Sequence, residues 1–358
     1  MLHAEIAKTF PSGTRVKAAL NLPAGRSVTV LFGPSGAGKT TVLRCLAGLE
    51  QLTSGRIEFR NQVWADAAAR KHVPAQKRSI GYLFQDYALF PHLNIRENIG
   101  FGLHHLNLST RNNRVRETAV SLQIQDLLER MPVELSGGQQ QRAALARVLV
   151  REPDLLLLDE PLSALDGMAR DHVRGELASL LRRLQIPAIV VTHDWIDALS
   201  LGDRLHVMYA GEVLQEGTPQ EIFAVPRHAE VAAAVGMENL IPGRVKERSG
   251  DVAVIQVGNA EIFAVDPRDG QPEYFVCIRG ENITLETGRA SQSSARNHLR
   301  GVVSDIVPAG SLLKVIVDVG FEATALVTRQ AVMDMALEKG KEVYAAFKAS
   351  AVHLIAKP

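Results

Sequence analysis

The sequence predicts an α/β domain built on a parallel sheet, followed by an all-β domain. Three observations predict it. The β-branched run Ser27-Val28-Thr29-Val30-Leu31-Phe32 leads through glycines into Thr40-Thr41-Val42-Leu43-Arg44-Cys45-Leu46, which has helical character. The apolar runs Asp154-Leu155-Leu156-Leu157-Leu158 and Pro187-Ala188-Ile189-Val190-Val191 suit strands buried on both faces of a parallel sheet. Past about residue 236, short Val/Ile-rich runs recur, broken by Gly, Asp and Pro, which is an all-β texture.

Taken in order, residues 1–32 alternate apolar and polar positions around turns at Pro11-Ser12-Gly13 and Pro23-Ala24-Gly25, and so predict short strands. Residues 92–150 predict mostly helix, with a flexible stretch at Ser109-Thr110-Arg111-Asn112-Asn113. Further strands are expected at 252–257, 274–278, 315–319 and 343–347. The Ser-rich stretch Gly288-Arg289-Ala290-Ser291-Gln292-Ser293-Ser294 reads as a loop between two lobes. No internal repeat stands out.

Composition narrows the function classes. With 46% apolar and 22% charged residues in a chain of 358, this is an ordinary globular composition with room for two or three domains. A formal net charge of +1 gives no global footprint for nucleic acid. The two cysteines, Cys45 and Cys277, are far apart and suggest buried reduced thiols rather than a disulfide framework or zinc site. The N-terminus lacks the pattern of a signal peptide, and no apolar stretch approaches the ~18 residues that span a bilayer. Any membrane role is expected to run through a separate partner.

Gly33-Pro34-Ser35-Gly36-Ala37-Gly38-Lys39-Thr40 matches GxxxxGK[ST] between a strand and a helix. In that setting backbone N–H groups turn towards phosphate oxygens, and the helix presents its positive end to the same anion. Lys39 supplies charge for the terminal phosphates, Thr40 a hydroxyl for Mg²⁺, and Thr41 continues the helix start. Asp159 and Glu160 close the leucine run. Two acids at a buried strand tip beside a phosphate loop are costly unless used. The expected ligands are a nucleoside triphosphate and Mg²⁺.

About a hundred residues downstream stands Leu135-Ser136-Gly137-Gly138-Gln139. Ser136 can cap the helix that follows, and Gly137 and Gly138 leave backbone donors at its start, a second anion-binding end. The run resembles the signature of the ATP-binding-cassette (ABC) family. The resemblance spans about 1–235, with a helical subdomain at about 86–150, and implies a P-loop NTPase fold.

Under that resemblance Asp159 looks like the Walker B aspartate, Glu160 the general base, Gln85 the Q-loop glutamine at Mg²⁺ and water, and His193 the switch histidine at the γ-phosphate. Asp166 looks like the D-loop residue that speaks across a dimer, and Phe10 the aromatic stacked on adenine, where the family more often has Tyr or Trp. The family's active site is split. Each ATP is expected between one chain's 33–41 and the other's 136–139, in a homodimer of cassettes.

Leu89-Phe90-Pro91-His92-Leu93 resembles importer ATPases. This implies two copies of a membrane permease docked near 85–98, a periplasmic substrate-binding protein as indirect partner, and a peripheral place on the cytoplasmic face of the bacterial inner membrane. Residues 236–358 resemble the OB-like regulatory barrels of such ATPases. Within them, about 294–356 resembles a molbindin-type domain, opening at Ser294-Ala295-Arg296-Asn297-His298-Leu299-Arg300-Gly301 and closing at Ala346-Phe347-Lys348-Ala349-Ser350. That resemblance implies molybdate import, with Ser294, Arg296, Lys348 and Ser350 as oxyanion candidates. A barrel serving only dimer contacts stays open, as do importers of sulfate, iron, polyamine or sugar, and a soluble cassette protein acting on nucleic acid or ribosomes.

Overall fold

The computed structural model describes residues 1–357 apart from 24, 166 and 289–292. The chain divides into two compact units, Met1–Ile222 and Phe223–Pro358. Among the described residues of the first, eleven strands form one sheet: β1 (Leu2–Thr9), β2 (Arg15–Leu22), β3 (Val28–Phe32), β4 (Ser54–Phe59), β5 (Gln62–Asp66), β6 (Lys71–His72), β7 (Ile80–Leu83), β8 (Leu155–Asp159), β9 (Ala188–Thr192), β10 (Arg204–Tyr209) and β11 (Glu212–Gly217). Their spatial order is β6-β5-β4-β1-β2-β11-β10-β3-β9-β8-β7.

The two ends of this sheet differ for a reason visible in the residues. β1 and β2 alternate buried and exposed positions and pair antiparallel. β3, β8 and β9 are buried at every position and run parallel, with helices connecting them. Leu155, Leu156, Leu157 and Leu158 are wholly buried. Each such side chain contributes roughly 2 kcal/mol by leaving water. The two apolar runs are therefore the neighbouring central strands that the sequence predicts.

The helices are α1 (Lys39–Ala47), α2 (Ile95–Gly100), α3 (Leu108–Ser121), α4 (Gly137–Leu149), α5 (Gly167–Arg183), α6 (Trp195–Leu201) and α7 (Pro219–Ala224). The expected flexible stretch 109–113 lies inside α3 instead. Asn107 caps that helix by accepting from the Thr110 N–H at 2.9 Å, and Val115 and Ala119 bury its inner face. Cap and buried face outweigh the poor local propensity of Ser, Thr and Asn.

The second unit carries α8 (Ala229–Ala234) and then ten strands among its described residues. They are β12 (Asn239–Ser249), β13 (Val252–Val257), β14 (Ala260–Val265), β15 (Glu273–Ile278), β16 (Thr284–Glu286), β17 (Asn297–Ala309), β18 (Leu312–Asp318), β19 (Glu322–Thr328), β20 (Glu342–Phe347) and β21 (His353–Ala356), with α9 (Arg329–Asp334) after β19. Two five-stranded sheets result, β14-β13-β12-β15-β21 and β16-β20-β17-β18-β19. Read from its other end, the second order is the first with four strands advanced by five, and the remaining strands, β21 and β16, are exchanged between the sheets, so the unit is a duplicated motif.

Two buried asparagines lock the halves reciprocally. Asn239 Nδ2 donates to the carbonyls of Ile278 (3.0 Å) and Thr324 (2.9 Å), and its Oδ1 accepts from the Thr324 N–H at 2.7 Å. Asn297 Nδ2 donates to the Phe263 carbonyl at 2.9 Å and its Oδ1 accepts from the Phe263 N–H at 2.7 Å. Each asparagine opens one half and binds the third strand of the other. The repeat escapes the sequence because little more than Asn239, Gly243 and Val245 recurs, as Asn297, Gly301 and Val303. The Ser-rich joining stretch lies partly outside the described residues.

Candidate nucleotide site

The phosphate loop leaves the C-terminal end of β3. Gly33 cannot be replaced there without movement, because a Cβ would sit 2.1 Å from the Met208 carbonyl oxygen. Gly38 adopts φ +95° and caps α1 without a side chain, so the first N–H groups of that helix receive no side-chain cap. The other end of α1 is satisfied. Arg78 is buried and donates through Nη1 to the carbonyls of Cys45 (2.9 Å) and Leu46 (2.6 Å), while burial pulls its pKa down to about 10.

Lys39 is buried at the first position of α1. Its Nζ donates to the carbonyls of Gly33 and Pro34, both at 2.8 Å. Burial lowers its pKa, while Glu160 and Asp159 act the other way. Of the remaining loop residues, Pro34, Ser35, Gly36 and Thr40 are exposed, Ala37 is buried, and Thr41 is half-buried.

Asp159 ends β8 and is only 5% exposed. Its Oδ1 accepts from Thr40 Oγ1 at 2.9 Å and its Oδ2 from the Tyr82 hydroxyl at 2.9 Å. Desolvation pushes its pKa up, and the two hydrogen bonds partly oppose that. Glu160 follows with φ +46°, a left-handed conformation that is unusual for a side-chain-bearing residue. Its N–H donates to the Val191 carbonyl at 3.0 Å, and its own carbonyl accepts from Ser163 Oγ at 2.9 Å. This turns its carboxylate towards the end of β9, where Oε2 lies 3.0 Å from His193 Nδ1. Lys39, Thr40, Asp159, Glu160 and His193 thus gather at the C-terminal ends of three adjacent parallel strands, the usual ligand edge of such sheets.

The predicted residues outside that cluster are placed as follows. Gln85 is exposed just beyond β7, the strand beside β8. Phe10 is half-buried against the core, and Lys8 Nζ sits 5.5 Å from its ring centroid. Asp166 lies outside the described residues. Ser136 caps α4, accepting from the Gln139 N–H at 3.4 Å, while Gln139 Oε1 accepts from the Ser136 N–H at 3.0 Å. A Cβ on Gly137 would meet Leu165 Cδ2 at 2.8 Å, so close packing adds a second reason for glycine there. Among the described residues, no hydrogen bond or ion pair joins 136–139 to the phosphate loop.

Residues 17–163 match the family model described as ABC transporter, and 293–354 match that of the TOBE domain. A molybdate/tungstate import ATP-binding protein of Pyrococcus horikoshii is 38% identical over 91% of both chains. The chain belongs to the ABC transporter family. A spermidine/putrescine import ATP-binding protein of Pseudomonas fluorescens is 39% identical over 78% of this chain and 76% of its own. An ATP-binding cassette solved as a dimer in a post-hydrolysis state, bound to ADP and Pi, is 29% identical with a TM-score of 0.52, covering 61% of this chain and 99% of its own.

The segment after Gln85 is held by residues that sequence reasoning missed. Arg147 donates to the carbonyls of Ala88 (2.6 Å) and Tyr87 (2.9 Å), and the Tyr87 hydroxyl donates to the Pro161 carbonyl at 3.1 Å. Asn98, fully buried, accepts from the Phe90 N–H at 2.8 Å and donates to the carbonyls of Phe90, Leu93 and Asn94. Position near Gln85 was the available signal for Tyr87, but nothing in the chain pattern marked Arg147 or Tyr82. Beside this segment opens a groove of about 480 Å³ lined by Leu49, Tyr82, Phe84, Phe101, Arg147 and Arg151. The face there is largely apolar and aromatic, with two arginines.

Proposed function

We propose that this ABC importer ATP-binding subunit hydrolyses ATP at a site completed by a second copy of itself, and that the energy drives uptake of molybdate or tungstate. The cluster of Lys39, Thr40, Asp159, Glu160 and His193 at one sheet edge carries the reading. α1 and the loop before it bind the triphosphate through backbone donors, with Lys39 moving from the Gly33 and Pro34 carbonyls to phosphate oxygens. Thr40 Oγ1 and Asp159 Oδ1, 2.9 Å apart, are hard oxygen donors beside that loop and fit a Mg²⁺ ion. Thr40 and Asp159, with Gln85, would hold it, and when bound it supplies charge neutralisation to the β- and γ-phosphates.

Glu160 accepts a proton from the attacking water, and His193, in contact with Glu160, faces the γ-phosphate. Ser136, Gly137, Gly138 and Gln139 of the second copy close over the same phosphate, with Asp166 as the residue that speaks across the dimer and Phe10 against adenine. Glu160→Gln tests this: hydrolysis nearly disappears while ATP still binds. Turnover at the wild-type rate removes Glu160 as base.

The aromatic groove beside Gln85 is the proposed seat of a permease segment, one per cassette and so two per dimer. Among the described residues, no helix is long and apolar enough to cross a membrane. The proposed location is peripheral, on the cytoplasmic face of the inner membrane, with the periplasmic binding protein reached only through the permease.

The cargo reading rests on the similarity along 91% of the Pyrococcus protein and on the duplicated β unit. Where the first half has Glu238, the second has Arg296. Glu238 Oε2 accepts from the Gly280 N–H at 2.9 Å, so a carboxylate of the chain already sits on that turn. In the second half the matching turn is Ala349–Ala351, preceded by exposed Lys348 and carrying exposed Ser350. Arg296 stacks 5.7 Å from the Phe263 ring on β14, the strand packed against that turn. Ser294 lies exposed two residues before Arg296. An oxyanion there would take the part that Glu238 plays in the first half. Calorimetry of the full chain with molybdate and tungstate tests it. Binding lost in Arg296→Ala and Lys348→Ala supports the site; no heat with either anion leaves the unit to dimer contacts and reopens the polyamine reading.

A further inference from the structure

His193 is exposed, yet one of its chain neighbours, Thr192, bonds the buried carboxylate of Asp197 in the first turn of α6, and the other, Asp194, is linked to that carboxylate through Thr192 and Arg170. Asp197 is 2% exposed and both of its oxygens are used. Oδ1 accepts from Arg174 Nε at 2.6 Å. Oδ2 accepts from Arg170 Nη2 at 2.6 Å and from Thr192 Oγ1 at 3.3 Å. The Thr192 hydroxyl oxygen in turn accepts from the Asp194 N–H at 3.0 Å. Asp194 Oδ1 caps α6 through the N–H groups of Ile196 (2.8 Å) and Asp197 (3.0 Å), and its other oxygen lies 3.5 Å from Arg170 Nη2. A local cap for α6 is thereby fused to a charge cluster reaching into α5. Arg174 is buried too and also bonds Asp171.

Such a cluster is more than α6 needs. A short surface helix is capped adequately by Asp194 alone. Burying a carboxylate between two guanidinium groups is costly in desolvation and repays it only with close geometry, so it fixes positions more than it adds stability. Arg170 and Arg174 sit in the first two turns of α5, which begins directly after Asp166. The loop that carries His193 is therefore braced against the helix that follows Asp166 in the chain, the residue proposed to speak across the dimer.

We propose that Asp197 is a positioning residue for His193, and that the Arg170–Asp197–Arg174 clamp makes the place of His193 depend on α5. This rests on the reading of His193 as the group facing the γ-phosphate. When α5 shifts as a second copy docks, His193 moves with it relative to Glu160. Hydrolysis thereby becomes conditional on the partner.

The test is steady-state ATP hydrolysis by the full chain, with binding of a fluorescent ATP analogue and thermal unfolding measured alongside. Asp197→Asn and Arg170→Gln are each expected to lower kcat at least tenfold while KM and analogue affinity stay within twofold. Asp197→Glu is expected to recover part of the loss. Should Asp197→Asn show no cooperative unfolding, Arg170→Gln, which leaves Arg174 on Asp197, decides. Wild-type kcat in Arg170→Gln, or kcat and analogue affinity falling together in a folded variant, overturns the proposal. His193→Ala separates the two readings: if it turns over normally, the site assignment has failed, whereas a dead His193→Ala beside a normal Arg170→Gln sinks only the clamp.

Discussion

Two helix N-termini in this cassette are proposed to meet phosphate, and they are finished differently. α1 begins at a glycine in the left-handed region, with no side-chain cap and with Lys39 buried beside it. α4 begins at Ser136 with a complete capping box, in which Ser136 and Gln139 satisfy each other's backbone. Both present the positive end of a helix dipole. At α4 the box takes up the N–H groups of Ser136 and Gln139 and leaves those of Gly137 and Gly138, whereas α1 has no side-chain cap. The difference teaches which half of the site is prepared in a single chain. On the proposed reading the phosphate loop offers ATP an uncapped helix start, whereas α4 is half-capped and would meet the phosphate of another copy with the N–H groups of Gly137 and Gly138.

The sharpest way to break the comparison is at α1. Lys39→Ala removes the only cation that the described residues bury against the loop, and ATP affinity is expected to fall at least a hundredfold, roughly 3 kcal/mol as for a buried charge-assisted contact. Titration with a fluorescent ATP analogue checks it; a loss below threefold means the loop binds through its backbone alone. At α4 the same analogue is expected to bind Ser136→Ala normally, while stability drops by about 1 kcal/mol for the lost cap, read from the urea midpoint. If Ser136→Ala instead weakens ATP binding in the monomer, the two ends are not separate.

A pH experiment sharpens the α1 side. The Asp159 carboxyl titrates above its unfolded value because it is desolvated. Between the two values the folded chain holds more protons, so this group's contribution falls as pH rises through that window. Without nucleotide, Asp159→Asn is expected to be more thermostable than wild type at neutral pH, with the advantage vanishing as pH falls towards the ordinary carboxylate range. No gain at pH 7 would mean Thr40 and Tyr82 fully offset the burial. The smallest expected effect is a null one. Burial pushes Cys45 up to about 11 and Cys277 up to about 12, so a thiol reagent at pH 8 labels neither in the native chain and both after denaturation.

How much was legible follows from how local each feature is. The phosphate loop, the acids after four leucines and the capped signature helix are written in consecutive residues, and their geometry follows the order of the chain. Tyr82 on Asp159, Arg147 under Tyr87 and Asp197 between two arginines join residues far apart in sequence, and no local pattern announces them. α3 was misread because Ser, Thr and Asn over 109–113 look like a loop until Asn107 is seen to cap them. The duplicated β unit was invisible because its symmetry lies in strand order and in two asparagines, with almost no shared residues.

The claim on which the rest depends is that the site is divided between two chains. Light scattering of Glu160→Gln with Mg²⁺ and ATP measures it most directly. The account predicts a mass that doubles with ATP, and that stays single when Ser136→Glu is added and sets a carboxylate against the incoming phosphate, although the double variant still binds ATP. A Glu160→Gln chain that binds ATP tightly and remains a monomer would contradict it.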